Sequence, residues 1–143
     1  MLIRQLEKRD LPQLADLYYQ FWGDHSDVDE MEKQLGFMQA ENTHVVLVCE
    51  TDGAIIGSVM GIVCRELYGD CRPFMVVENM IVDQAHRRSG VGRQLLRELE
   101  NEAKERNCTQ LILVTEKDRE DACAFYENYG FSKNTTGYKK KVI

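Results

Sequence analysis

No apolar run in this sequence approaches the roughly 18 residues needed to cross a bilayer. The first residues, Met1-Leu2-Ile3-Arg4-Gln5, turn charged too early for a secretory signal. A soluble, cytoplasmic protein with no membrane partner is therefore expected. Cysteine is odd in number and scattered. The five, at positions 49, 64, 71, 108 and 123, make no CxxC pair and no Cys/His ligand set. That argues against a zinc module and a disulfide framework, so no metal is expected and the thiols read as reduced, small apolar packers. Only two prolines occur, and there is no low-complexity tract, linker or internal repeat. One domain covering residues 1–143 is expected, long enough to bury a real core. Positive charge is also lacking overall. Against 24 Asp and Glu stand 18 Lys and Arg, a net charge of −6, which argues against sequence-independent binding of nucleic acid. A small anionic ligand would need basic residues concentrated in one place.

The hydrophobic pattern alternates between the two common periods. Residues 2–6 read as a first strand. Asp10 precedes Leu11-Pro12, as an N-cap before proline in a first helical turn. Leu11, Leu14, Ala15, Leu17, Tyr18 and Phe21 follow at helical spacing, which predicts a helix over 11–22. A weaker helix over 27–38 carries Met31, Leu35 and Met38 on one face. Valine-rich 44–50, the turn pair Asp52-Gly53 and the return strand 54–65 form a hairpin. A loop with Gly69 and Pro73 leads to a strong strand over 74–82. The best helix spans 90–106, with Val91, Leu95, Leu96, Leu99 and Ala103 as its apolar stripe. A short inner strand over 111–114, a helix over 122–129 stopped by Gly130, and last strands at Phe131 and 138–142 complete the chain. Hairpins followed by a strand–helix–strand crossover define an α/β (α+β) fold. Its mixed, mostly antiparallel central sheet would have about six or seven strands, flanked by about four helices.

Basic residues do concentrate once. The strand over 74–82 runs into His86-Arg87-Arg88-Ser89-Gly90-Val91-Gly92-Arg93, where the best helix begins. A helix N-terminus offers unpaired N–H donors and a partial positive charge to an anion. Glycines at 90 and 92 allow close backbone approach, and the arginine fork suits phosphate oxygens. Arg87, Arg88, Ser89, Gly90, Val91, Gly92 and Arg93 are thus candidates for holding a pyrophosphate. The plain alternative is a solvated turn. The segment matches neither GxxxxGK[ST] nor GxGxxG.

The spacing (Arg/Gln)-x-x-Gly-x-(Gly/Ala), carried by Arg87, Gly90 and Gly92, resembles the acetyl-CoA motif of the GNAT superfamily of N-acetyltransferases. A second block, Ala122-Cys123-Ala124-Phe125-Tyr126-Glu127-Asn128-Tyr129-Gly130-Phe131, is similar to that family's A-x-x-F-Y-E-x-x-G-F segment. A helix and a strand separate the two blocks, as in the family. The resemblance implies acetyl-CoA as co-substrate and direct attack by an amine on the thioester in a ternary complex, without an acyl-enzyme. It further implies that backbone groups of Met80, Ile81 and Val82 bond the pantetheine, with one N–H polarising the thioester carbonyl. Many members carry an asparagine near position 119. Here Arg119-Glu120-Asp121 stands instead, so Arg119 reads equally as a coenzyme contact and as a surface ion pair.

Two residues are candidates for the chemistry. Glu78, with Asn79, interrupts an otherwise apolar strand. It would take the amine proton, directly or through water, if burial raised its pKa toward neutrality. The alternative is an arginine partner at the sheet rim. The family often places an acidic or polar residue here, beside a β-bulge that splays the strand. Tyr126 matches the family tyrosine beside the coenzyme sulfur, where a phenol can donate to the departing thiolate. Its alternative role is a core aromatic. Cys123 lies a turn from Tyr126 but has no histidine partner in any evident motif, and reads as packing.

The acceptor pocket implied by the resemblance comes from the first two helices and the loop before the central strand. Trp22, Asp24, His25, Asp27, Asp29, Glu30 and Glu32 cluster there, a set suited to a small cationic amine or polyamine. Phe21-Trp22-Gly23-Asp24-His25-Ser26, with the 71–82 strand region, resembles aminoglycoside 6'-N-acetyltransferases. A protein or peptide amine stands as the alternative acceptor, and a non-catalytic acyl-CoA-binding regulatory module as the alternative function. The expected strand at 138–142 offers an edge for a homodimer.

Overall fold

The computed structural model describes all residues, Met1–Ile143, in two compact units, Met1–Ile112 and Leu113–Ile143. The first unit holds β1 (Leu2–Gln5), α1 (Leu11–Trp22), α2 (Val28–Glu41), β2 (His44–Thr51), β3 (Ala54–Cys64), β4 (Phe74–Val82), α3 (Val91–Glu105) and β5 (Leu111–Ile112). The second holds α4 (Glu120–Tyr129). No helix is long and apolar enough to cross a membrane.

The strands lie in sequence order, β1-β2-β3-β4-β5. The first four pair antiparallel, and β5 pairs parallel to β4 through Met75↔Leu111 and Val76↔Ile112. The turn pair Asp52-Gly53 takes φ of +51° and +79°, the doubly left-handed geometry that a tight hairpin requires. Valines 45 and 48 and Leu47 in β2 are all buried. Burial on both strand faces means that both sides of the sheet are covered.

On one side, Leu11, Leu14 and Leu17 of α1 and Leu35 of α2 pack with Leu6, Val48, Ile55 and Ile81. On the other lies α3, whose buried residues are the expected stripe, Val91, Leu95, Leu96, Leu99 and Ala103. Leu95, Leu96 and Leu99 are fully buried, each stabilising by about 1.5–3 kcal/mol relative to exposure. Gly57 and Gly61 of β3 let this helix come close. A Cβ at Gly57 would stand 2.9 Å from Val91 Cγ1, and one at Gly61 would stand 2.8 Å from Leu99 Cδ1.

The sheet has five strands rather than six or seven. β5 is Leu111–Ile112 and does not reach residue 114, because its ladder with β4 stops at Val76, just before β4 bends at a bulge. No strand forms at Phe131, whose N–H is taken by the end of α4, donating to the Tyr126 carbonyl at 3.0 Å. None forms over 138–142, where three consecutive lysines break the alternation and Tyr138 and Val142 stand exposed. The strand edge expected to pair two copies is therefore not formed.

Asp10 sits immediately before α1 but does not cap it with its side chain. It is buried and turned back instead. Its carboxylate accepts from Arg4 Nη1 at 2.7 Å, Arg4 Nη2 at 2.9 Å and the Glu7 amide at 2.8 Å. Arg4 also donates to Glu50 at 2.7 Å. The Arg4 hydrogen bonds hold the Asp10 carboxyl below the usual carboxylate range, against the opposing effect of burial. A depressed folded pKa adds stability that is complete above the unfolded value, about 3.9, and is lost as pH falls through the lower folded value. Asp10→Asn should therefore cost about 1.5–3 kcal/mol at neutral pH, because Arg4 keeps Glu50 but loses its charge-assisted bonds to Asp10. It should also flatten the loss of stability below pH about 4. Thermal unfolding of both proteins between pH 3 and 7 checks this, and parallel curves would refute it.

Candidate active site

The centre of the site is a break in β4. Opposite it on β3, Met60 pairs with Glu78 and Ser58 pairs with Ile81, so Val59 alone faces Asn79 and Met80. This is a β-bulge, and Asn79 takes the left-handed φ of +51° that it accommodates better than most residues. A bulge shifts the facing of everything after it. Met75 lies beneath α3 beside Gly61, whereas Ile81, an even number of residues on, packs in the α1 and α2 cluster. Beyond Val76, β4 has no strand partner on its β5 side within the unit. The backbone from Val77 to Val82 therefore carries no ladder on that edge within the unit. Glu78 is exposed, so the burial expected for it is not supplied by the chain itself.

The strand then enters a short 3-10 turn, Gln84–His86. The Asp83 carboxylate organises it, bonding to His86 Nδ1 at 2.6 Å and accepting from Gln20 Nε2 at 2.9 Å and from the Ala85 amide at 3.2 Å. Those bonds, His86 first and then Gln20, hold the carboxyl below its ordinary range. Arg87 Nε donates to the Val82 carbonyl at 3.3 Å, and the Ser89 hydroxyl donates to the His86 carbonyl. Arg88 and Gly90 take φ of +61° and +87°. Gly90 is the N-cap of α3, and no side chain caps that end. A Cβ at Gly90 would meet nothing within 4 Å. Arg87, Arg88, Ser89, Gly90 and Arg93 are exposed, Gly92 is half-buried, and Val91 is buried as the first residue of the helix stripe. An uncapped helix start with three arginines around it is a local exception on an acidic chain, and it suits an anion.

The last turn of α1 lies against this strand. Burial raises the Tyr18 phenol above its ordinary value, and the nearby Asn79 side chain opposes the rise. Around Tyr18 stand exposed aromatics. Trp22 meets Tyr18 edge-on at 5.4 Å and Phe21 at 4.8 Å, and Tyr19 stacks on His25 at 4.4 Å. Sequence reasoning missed Tyr18, Gln20 and Asp83. Tyr18 and Gln20 fit an ordinary amphipathic helix, and only the polar Asn79 within an apolar strand hinted at a polar neighbour.

Tyr126 and Arg119 belong to the second unit. Tyr126 is half-buried on α4, its ring 5.3 Å from Phe125 and 5.8 Å from Phe131. Its carbonyl accepts from the Gly130 and Phe131 amides, which closes the helix end. Arg119 is exposed at the N-cap of α4. Cys123 Sγ lies 3.7 Å from the Glu116 carbonyl as a weak donor.

A mixed sheet bulged beside a glycine-started helix is the architecture of an acetyltransferase, and residues 9–131 match the model of the acetyltransferase (GNAT) family. The chain belongs to that family. Among individual proteins, it is 26% identical over 118 residues to the uncharacterised protein YdhI of Bacillus subtilis (strain 168), covering 82% of this chain and 66% of that one, just under two thirds. A protein assigned as an acetyltransferase from Agrobacterium tumefaciens superposes with a TM-score of 0.91 at 26% identity, covering 99% of each chain. The aminoglycoside antibiotic 6'-N-acetyltransferase AAC(6')-IG of Acinetobacter haemolyticus superposes at 0.79 with 25% identity, covering 100% of this chain and 99% of that one.

Proposed function

We propose that this chain is an N-acetyltransferase, moving an acetyl group from acetyl-CoA to a primary amine by direct attack in a ternary complex. The observation that carries this reading is the bulged β4, without a ladder on its β5 side from Val77 on within the unit, leading through one short turn to the uncapped start of α3 at Gly90. One edge meets an extended pantetheine arm through Met80, Ile81 and Val82. The helix start, with Arg87, Arg88, Ser89, Val91, Gly92 and Arg93, meets the pyrophosphate. A match running through residues 9–131 supports treating the chain as one acetyltransferase domain.

The acceptor is a small cationic amine, such as an aminoglycoside or polyamine. Exposed Tyr19, Phe21 and Trp22 supply aromatic faces to a cation, and Asp24, Asp27, Asp29, Glu30 and Glu32 supply negative charge nearby. The likeness to an enzyme named for aminoglycosides supports that class. Thiol release from acetyl-CoA over a panel of aminoglycosides, polyamines and peptide amines tests the reading. Release with no amine in the panel would remove the cationic acceptor, and absence of coenzyme binding would remove the enzyme.

Glu78 takes the amine proton, directly or through one water, and a bound acceptor supplies the burial that the free protein lacks. Glu78→Gln should then lower turnover at neutral pH by about 10²–10⁴-fold while leaving acetyl-CoA affinity nearly intact. The deficit should shrink at high pH, where the amine loses its proton without help. A pH–rate profile parallel to wild type would make Glu78 structural.

A further inference from the structure

The turn that joins β4 to α3 is built on one residue, Asp83. Its amide donates to the Ile56 carbonyl of β3 at 2.8 Å, and its carbonyl accepts from the His86 amide at 2.9 Å. The side chain takes further donors. Oδ1 accepts from Gln20 Nε2 at 2.9 Å, while Oδ2 accepts from His86 Nδ1 at 2.6 Å and from the Ala85 amide at 3.2 Å. Gln20 completes the junction with α1 by accepting from the Gln84 amide at 3.4 Å. The His86 carbonyl in turn accepts from the Ser89 hydroxyl, and Ser89 directly precedes Gly90, the N-cap of α3. A continuous series of hydrogen bonds therefore runs from β3 through Asp83 and His86 to the helix start. Within this turn Arg88 holds φ of +61°, a conformation that a long side chain keeps only where its surroundings fix it.

We infer that Asp83 is a positioning residue for coenzyme binding: it sets the shape of the turn that presents Ser89, Gly90 and the α3 amides to the pyrophosphate, and Gln20 locks that turn to α1. This role rests on the acetyl-CoA reading and gives Asp83 no contact with the coenzyme. Electrostatics sets the opposite expectation for a carboxylate with no structural part to play. A negative charge a few residues from an anion site disfavours the anion. As a mere surface charge, Asp83 would weaken coenzyme binding, and its removal would strengthen it. As the hub of the turn, its removal frees amides that must then be ordered again when the coenzyme binds, and affinity falls. The two roles predict opposite signs.

Acetyl-CoA affinity by calorimetry, hydrogen exchange of the free protein and thermal unfolding should be measured for Asp83→Ala, Asp83→Asn, Gln20→Ala and Gln13→Ala. Asp83→Ala should weaken acetyl-CoA about tenfold and speed exchange at residues 84–90. Asparagine keeps an oxygen for the Ala85 amide, so Asp83→Asn should bind more tightly than Asp83→Ala. Both variants lose the same charge, and the difference between them isolates the geometry. Gln20→Ala removes only the arm from α1 and should weaken binding about threefold. Gln13 is the control on the same helix. It donates to the Gly53 carbonyl at 3.3 Å and accepts from the Ile55 amide at 2.8 Å, at the β2–β3 hairpin. Gln13→Ala should therefore lower stability about as much as Gln20→Ala, with affinity unchanged. Wild-type or tighter binding in folded Asp83→Ala overturns the role. If Asp83→Ala does not fold, unchanged affinity and exchange in Gln20→Ala overturn it instead. A wild type that does not bind acetyl-CoA sinks the coenzyme reading and this role together.

Discussion

Gly90→Val is expected to weaken acetyl-CoA binding by more than about 100-fold in a protein that still folds. Gly90 has φ of +87° and opens α3 without a side-chain cap. A Cβ placed there meets no atom of the chain within 4 Å, so valine creates no internal clash. It carries backbone strain of about 1–3 kcal/mol, which a core built on Leu95, Leu96 and Leu99 should survive. The open space that tolerates the side chain is the space a phosphate would use to reach the helix amides. Filling it removes charge-assisted hydrogen bonds as a group. Gly90→Ala carries the same strain with a smaller side chain, so the difference between the two variants isolates the steric part. Thermal unfolding establishes that each variant is folded, and calorimetry with acetyl-CoA reads the effect. Unchanged affinity in folded Gly90→Val would remove the pyrophosphate from this helix start.

What the sequence reveals about this region follows the range over which its physics acts. The α3 stripe is legible because a 3.6-residue period is local, and the Asp52-Gly53 hairpin because the turn needs positive φ at both residues. Gly57 and Gly61 read as ordinary strand residues, since the helix they admit lies more than thirty positions along the chain. The bulge is hinted at by two polar residues in an apolar strand. Its consequence, that Met75 and Ile81 pack on opposite sides, depends on the register with β3 and cannot be seen in one strand. Asp10 looks like a cap because capping is local, yet Arg4 reaches it across a turn that alternation does not disclose. Gln20 looks like one more polar position of α1, and the groups it bonds, Asp83 and the Gln84 amide, lie more than sixty positions along the chain. The tail after α4 carries a tyrosine and a valine, but its lysine run leaves too little apolar surface to hold a strand.

Tyr126→Phe is expected to lower turnover about 10²–10⁴-fold while leaving acetyl-CoA affinity and folding nearly intact. The ring survives the substitution, and with it the edge contacts to Phe125 and Phe131 and the backbone closure of α4 by Gly130 and Phe131. Only the hydroxyl is lost. If the phenol protonates the departing thiolate, the transition state loses its proton donor, whereas the coenzyme contacts proposed at β4 and α3 are untouched. The lower end of the range applies if thiolate release is already easy, since a thiol with pKa near 8.5 leaves readily. Slow product release would hide the chemical step in steady-state rates. Single-turnover measurements on the folded variant are therefore the decisive readout. A wild-type single-turnover rate would make Tyr126 a packing aromatic of α4 and would leave the thiolate to be protonated by solvent.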